Sequence, residues 1–193
     1  ETEARMFFQF ARATFCSKVA TESWSCGDMC DETSVIRGSV RFFGKTAFWE
    51  EQGFVAKLPQ AFQEGSGAST SCVAAFRGSV DHINYMAGAD VLLTSWPDWA
   101  SAEKSWCSGC SVHQGFAQIY KEVRPLMLAA LKELGCMNVI FTGHSLGGSL
   151  ALLASLEVRR SLGLLVPTVY TFAQPRVGNK AFVEAYVEAA REQ

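Results

Sequence analysis

Histidine is scarce in this chain of 193 residues: three are present, His82, His113 and His144, and none follows residue 144. That scarcity limits where a general base could come from. Long apolar runs are missing too. The longest, "LGLLVPTVYTFA" at 162–173, holds a proline and is shorter than the roughly 20 residues a membrane-crossing helix requires. There is no basic excess: 17 Lys and Arg stand against 19 Asp and Glu, a net charge of -2, so no field attracts nucleic acid or anionic head groups. No internal repeat, low-complexity tract or charge block divides the chain. With 49% hydrophobic residues, the composition describes one folded domain, 1–193, and excludes disorder. The chain opens at Glu1 without a basic-then-apolar leader, which we read as a processed or trimmed product.

Cysteine, by contrast, is plentiful: Cys16, Cys26, Cys30, Cys72, Cys107, Cys110 and Cys136. Two close pairs stand out, Cys26-x3-Cys30 and Cys107-x2-Cys110. Two short pairs are compatible with tetrahedral zinc, and "WCSGC" at 106–110 echoes a thioredoxin-type redox site. Short-loop disulfides in a secreted protein are the simplest reading. An odd total leaves at least one thiol unpaired or paired elsewhere.

Apolar periodicity gives the elements. Residues 3–15 carry Met6, Phe7, Phe10, Ala11 and Phe15 at helical spacing. Strand-like runs follow at 39–44, 53–58, 69–79 and 90–96, separated by glycine and polar residues. From 113 the period changes: Phe116, Ile119, Tyr120, Val123, Met127, Ala130, Leu131 and Leu134 predict a long amphipathic helix stopped by Gly135. A buried strand at 137–143, a helix at 146–161, a buried strand at 167–173 and a last helix capped by Asn179 complete the series. Helices alternating with near-continuous apolar strands predict an α/β class with a mostly parallel central sheet flanked by helices.

Between the strand at 137 and the helix at 146 sits Gly143-His144-Ser145-Leu146-Gly147. A serine on a sharp strand-to-helix turn needs a strained backbone, and glycine two before and two after removes the clashes this creates. The turn places Ser145 at a helix N-terminus, where free N–H groups, Leu146 first, favour a developing oxyanion. The alternative is a glycine-tolerant helix start with Ser145 as a mere cap. A second donor is expected from an earlier strand–loop junction, and "CVAAFRGSV" at 72–80 offers the Ser79 N–H and hydroxyl.

At these residues the chain resembles the fungal-type (class 3) triacylglycerol lipase family of the α/β-hydrolase superfamily. "FRGS" at 76–79, "CSGCSVHQGF" at 107–116, "FTGHSLGG" at 141–148 and "FAQPRVGN" at 172–179 are similar to that family's motifs in order and spacing, as is the placing of Cys16, Cys26 and Cys30. The resemblance implies an α/β-hydrolase fold, Ser145 as nucleophile, and Ser79 with Leu146 as the oxyanion hole. It implies disulfides Cys26–Cys30 and Cys107–Cys110, and a partner for Cys16 near a C-terminus that these residues do not contain. His144 becomes a packing residue, His113 opens the long helix, and residues 80–90 resemble an amphipathic lid, with Tyr85 where the family often has tryptophan. Cys72 and Cys136 are expected to be free core thiols.

In this hydrolase class the triad runs serine, acid, histidine along the chain. After Ser145 only Glu157, Glu184, Glu188 and Glu192 are acidic, and no histidine follows. The expectation is therefore an incomplete domain, similar to the family's N-terminal two-thirds, whose Asp and His lie on a C-terminal segment or second chain. The expected activity is a secreted serine hydrolase cleaving acylglycerol esters at a lipid–water interface, with neither metal nor organic cofactor. Feruloyl-type, phospholipid or galactolipid esters are alternative substrates for the same scaffold. A catalytically silent binding protein that kept the shell is the alternative of another class.

Overall fold

The computed structural model describes residues 2–44, 52–59, 70–79, 92–96 and 107–192. Helix α1 (Thr2–Ala13) is followed by two short helices, α2 (Lys18–Glu22) and α3 (Asp28–Asp31). Strands β1 (Arg41–Gly44), β2 (Gln52–Lys57) and β3 (Ser71–Phe76) come next, then a small hairpin, β4 (Leu93–Ser95) with β5 (Ser111–His113). The remainder is α4 (Gln114–Leu134), β6 (Asn138–His144), α5 (Leu146–Glu157) with a π-helical turn over Val158–Leu162, β7 (Val169–Phe172) and α6 (Lys180–Arg191).

The described main sheet has the order β1-β2-β3-β6-β7. Its β3/β6 and β6/β7 neighbours are parallel, whereas β1/β2 and β2/β3 are antiparallel, so the described sheet is mixed. The parallel part is the part that leads to Ser145. Side chains alternate across it as strand geometry requires. Phe54, Ala56, Val73, Ala75 and Ile140 face α1, where Phe7 and Phe10 are fully buried. Val55, Cys72, Ala74, Val139 and Phe141 face the other way, toward Tyr120, Val123 and Met127 of α4 and Leu150 and Leu153 of α5. Each buried Phe of α1 contributes about 2–3 kcal/mol by removal from water.

Helix α4 begins on His113, whose Nδ1 accepts the Gly115 N–H at 3.1 Å, and ends on Gly135 in the left-handed region (φ 64°). Helix α5 is apolar on nearly every side and buried along most of its length, as the central helix of the layer must be. At its last residue Glu157, 1% exposed, receives the Tyr120 hydroxyl at 2.5 Å and Arg124 Nε at 2.6 Å. Burial, and then the neighbouring Glu157 charge, push the Tyr120 phenol well above its ordinary pKa. This polar clamp joins α4 to α5 inside the apolar layer. Glu157 is the fully buried member of this ion pair, and Arg124 is partly exposed.

The disulfides depart from expectation. Cys26 is joined to Cys16, with Cα atoms 6.3 Å apart, and Cys30 remains a buried free thiol in α3. The three cysteines share one corner beneath α1, where sequence spacing alone does not choose the partner. Cys16 therefore has its partner within these residues. Cys72 and Cys136 are not free: they are joined, because β3 and β6 are neighbours and the Gly135 cap returns the chain beside the start of β3, with Cα atoms 5.8 Å apart. Cys107 and Cys110 are joined as well. Burial raises the Cys30 pKa, so in the native protein its reactive thiolate is suppressed. Alkylation after unfolding without reductant should tag Cys30 alone within these residues; tagging of Cys72 and Cys136 in peptide mapping would contradict the pairing.

Candidate active site

The buried strand β6 delivers the chain into a turn at Ser145, where φ is 52° and ψ -122°. A residue with a β-carbon rarely occupies this region, and the surrounding backbone has to hold it there. The Ser145 N–H donates to the Phe172 carbonyl at 2.8 Å, and the Ser145 carbonyl accepts from the N–H groups of Gly148 at 3.0 Å and Ser149 at 3.3 Å. The hydroxyl itself makes no capping bond to α5. Ser145 is half-buried and so reachable from the surface. These facts exclude the reading of Ser145 as a mere cap, since a capping serine spends its oxygen on the N2 or N3 N–H.

Glycine makes the turn possible at two contacts. A β-carbon on Gly143 would sit on the backbone of Gly147, and one on Gly147 would sit on the Phe76 carbonyl. The elbow thus lies directly against the end of β3. The contact is returned one residue further on: a β-carbon on Gly78 would stand 2.7 Å from the His144 carbonyl and 3.2 Å from His144 Nδ1. The two glycine contacts interlock the turn bearing Ser145 with the turn bearing Ser79.

Ser79 Oγ is buried and has no hydrogen-bond partner among the described residues. An unpaired buried hydroxyl costs about 1–3 kcal/mol and demands an explanation. Leu146 is buried and occupies the first position of α5, where the helix leaves N–H groups without an intrahelical acceptor. The positive end of the α5 dipole lies at the same place. A turn-exposed hydroxyl, a helix N-terminus and an unpaired serine hydroxyl suit attack on a carbonyl whose oxygen becomes negative.

Two of the three histidines are described. His144 packs its ring against Gly78 and is half-buried. His113 caps α4 through Nδ1 and stacks on Phe116 at 4.2 Å. Burial lowers its pKa. His82 and the candidate lid 80–90, with Tyr85, lie outside the described residues. Among the described residues no cluster of His, Cys, Asp and Glu could hold a metal, and no helix is long and apolar enough to cross a membrane. Two contributors to the site were not foreseen. The Phe172 carbonyl is a backbone group and leaves no mark in the sequence. Gly78 is visible as a glycine beside Ser79, but its contact with His144 is tertiary. Asn179 caps α6 through the Phe182 N–H at 3.0 Å and also holds Gly109 and Ser111, tying the Cys107–Cys110 turn to the C-terminal helix.

A serine on a glycine-flanked elbow after a parallel strand places the molecule in the α/β-hydrolase class. A class 3 lipase family model matches residues 73–193. The chain belongs to that family. A secreted mono- and diacylglycerol lipase 2 of Gibberella zeae is 36% identical over 122 residues, 56% of this chain and 30% of that protein. Rhizomucor miehei triacylglyceride lipase superposes with a TM-score of 0.75 at 26% identity, over 97% of this chain and 67% of that one. A structure described as a triacylglycerol lipase whose catalytic centre is a serine protease triad gives 0.72 at 27% identity, again over 97% and 67%. Against its curated relatives the chain spans about half their length or less.

Two expectations follow from the geometry. With Ser145 strained by its β-carbon, Ser145→Gly should be more stable than Ser145→Ala by about 1 kcal/mol in urea unfolding; equal midpoints would show the strain to be absent. The depressed His113 pKa favours neutral imidazole in the folded state. The stability it confers is complete above its unfolded value of 6.5 and is lost as pH falls from there through the lower folded value. Urea midpoints of wild type should therefore fall across that window more steeply than those of His113→Asn, which keeps a neutral capping group; parallel curves would refute the role.

Proposed function

We propose that this chain carries the nucleophile and oxyanion hole of a secreted serine hydrolase that cleaves carboxylic esters of acylglycerols. The observation that carries the reading is the interlock of the strained Ser145 turn with the unpaired Ser79 hydroxyl. Ser145 Oγ attacks the ester carbonyl while its proton passes to a histidine. The tetrahedral oxyanion is held by the N–H groups of Leu146 and Ser79, and the Ser79 hydroxyl gains in it the partner it lacks among the described residues. Collapse expels the alcohol, protonated by the same histidine, and leaves an acyl-enzyme that water hydrolyses to the carboxylic acid.

The acid and base of this triad are proposed to come from residues beyond these 193, on a following segment or a second chain. Two facts support this: no histidine follows Ser145, and the neighbour described as having a serine protease triad is matched over only 67% of its length. His113 is committed to its helix cap and His144 to packing. Secretion is supported by the similarity to the secreted lipase of Gibberella zeae and by the three disulfides. Long-chain acylglycerols are insoluble, so their hydrolysis takes place at a lipid–water interface. Residues 80–90, directly after Ser79, are the stretch proposed to cover the pocket, with Tyr85 on it.

The test is labelling of the full-length protein with a fluorophosphonate and mapping of the adduct. Label on Ser145 is expected, and none in Ser145→Ala, which should lose about 10⁴–10⁶ in kcat. Ser79→Ala should label yet lose about 10²-fold in kcat, as removal of one oxyanion donor does. A folded wild-type protein that takes no label is a binding shell, and the proposal fails. A preference for short soluble nitrophenyl esters with no gain in an emulsion would reassign the substrate to polar esters on the same scaffold.

A further inference from the structure

We infer that Ala173 is a positioning residue for Ser145: its left-handed backbone seats the Phe172 carbonyl under the Ser145 N–H. The inference rests on the reading of Ser145 as nucleophile. Trp24, Ser145 and Ala173 are the described non-glycine residues with positive φ, and Ala173 lies at 49°. L-residues other than Asn and Asp rarely enter this region, because the β-carbon crowds the following carbonyl. Packing does not repay the strain, since Ala173 is exposed.

The residues on either side explain why the conformation is imposed. Phe172 is fixed by the β7 ladder, opposite His144 on β6, and by edge-to-face contact with Phe8 at 5.0 Å between centroids. Gln174 precedes Pro175, which restricts it to extended backbone, and its Cβ lies 3.2 Å from where Gly148 would carry a β-carbon. The chain must leave β7 and reach the start of α5 in one residue, and a left-handed Ala173 makes that connection. The same residue therefore sets two contacts on the elbow: the Phe172 carbonyl on the Ser145 N–H at 2.8 Å, and Gln174 against Gly148. An alanine occupies a narrow left-handed well. A glycine would occupy a broad one and let the carbonyl swing.

Ala173→Gly and Ala173→Asn in the full-length protein test this. Asparagine keeps a β-carbon and tolerates the left-handed region, so it serves as the conservative variant. For Ala173→Gly we expect a melting temperature equal to or above wild type and about tenfold faster exchange of the Ser145 amide proton by NMR. Fluorophosphonate labelling and kcat should fall about three- to tenfold with KM unchanged, the signature of a misplaced reacting group. Ala173→Asn should stay near wild type in all of these. Exchange and labelling of Ala173→Gly equal to wild type would overturn the inference. Faster exchange in a protein that takes no label at all would leave the positioning intact and remove the hydrolase reading instead.

Discussion

Backbone packed directly on backbone is the constraint on which the rest of this structure depends. Where Gly147 meets Phe76 and Gly78 meets His144, no β-carbon fits, so the turn after β6 and the turn after β3 lie backbone against backbone. Ser145 sits in a region its side chain disfavours, and the Ser79 hydroxyl is buried without a partner among the described residues. Strain of this kind persists only where surrounding structure over-determines it. Here that structure is the buried parallel pair β3–β6, with half-buried β7 beside it, packed between α1 on one side and α4 and α5 on the other.

The supporting layers are built to be stiff. Helix α5 has almost no solvent face, so it cannot rotate without exposing apolar surface, and its first turn therefore stays against the end of β3. Its far end is fixed by Glu157, which Tyr120 and Arg124 satisfy from α4. The Cys72–Cys136 bridge ties the beginnings of β3 and β6, the two strands whose opposite ends carry Ser79 and Ser145. By loop closure a bridge of this span restricts the unfolded chain by about 4 kcal/mol.

The elbow was legible in the sequence because its chemistry is local. Glycines two residues either side of a serine, between an apolar strand and an apolar helix, admit few other meanings. The long helix was equally plain, since Phe116 to Leu134 keep helical spacing and Gly135 marks the end. Strand direction was not legible. The runs at 39–44 and 53–58 look the same whether parallel or antiparallel, and the antiparallel β1/β2 and β2/β3 pairings emerge only in three dimensions. Disulfide partners failed for the same reason: Cys16, Cys26 and Cys30 meet in one corner, and Cys72 reaches Cys136 only through the neighbouring of β3 and β6. The π-helical turn after Glu157 and the short α2 and α3 lie below the length at which periodicity signals anything.

The central claim is that the Ser145 turn and the Ser79 turn together hold an oxyanion. A crystal structure of the full-length protein carrying a phosphonate on Ser145 addresses it most directly. The account predicts one phosphoryl oxygen about 2.7–3.1 Å from the amide nitrogens of both Ser79 and Leu146. A phosphoryl oxygen turned to solvent, with Ser79 still unpartnered, would contradict it.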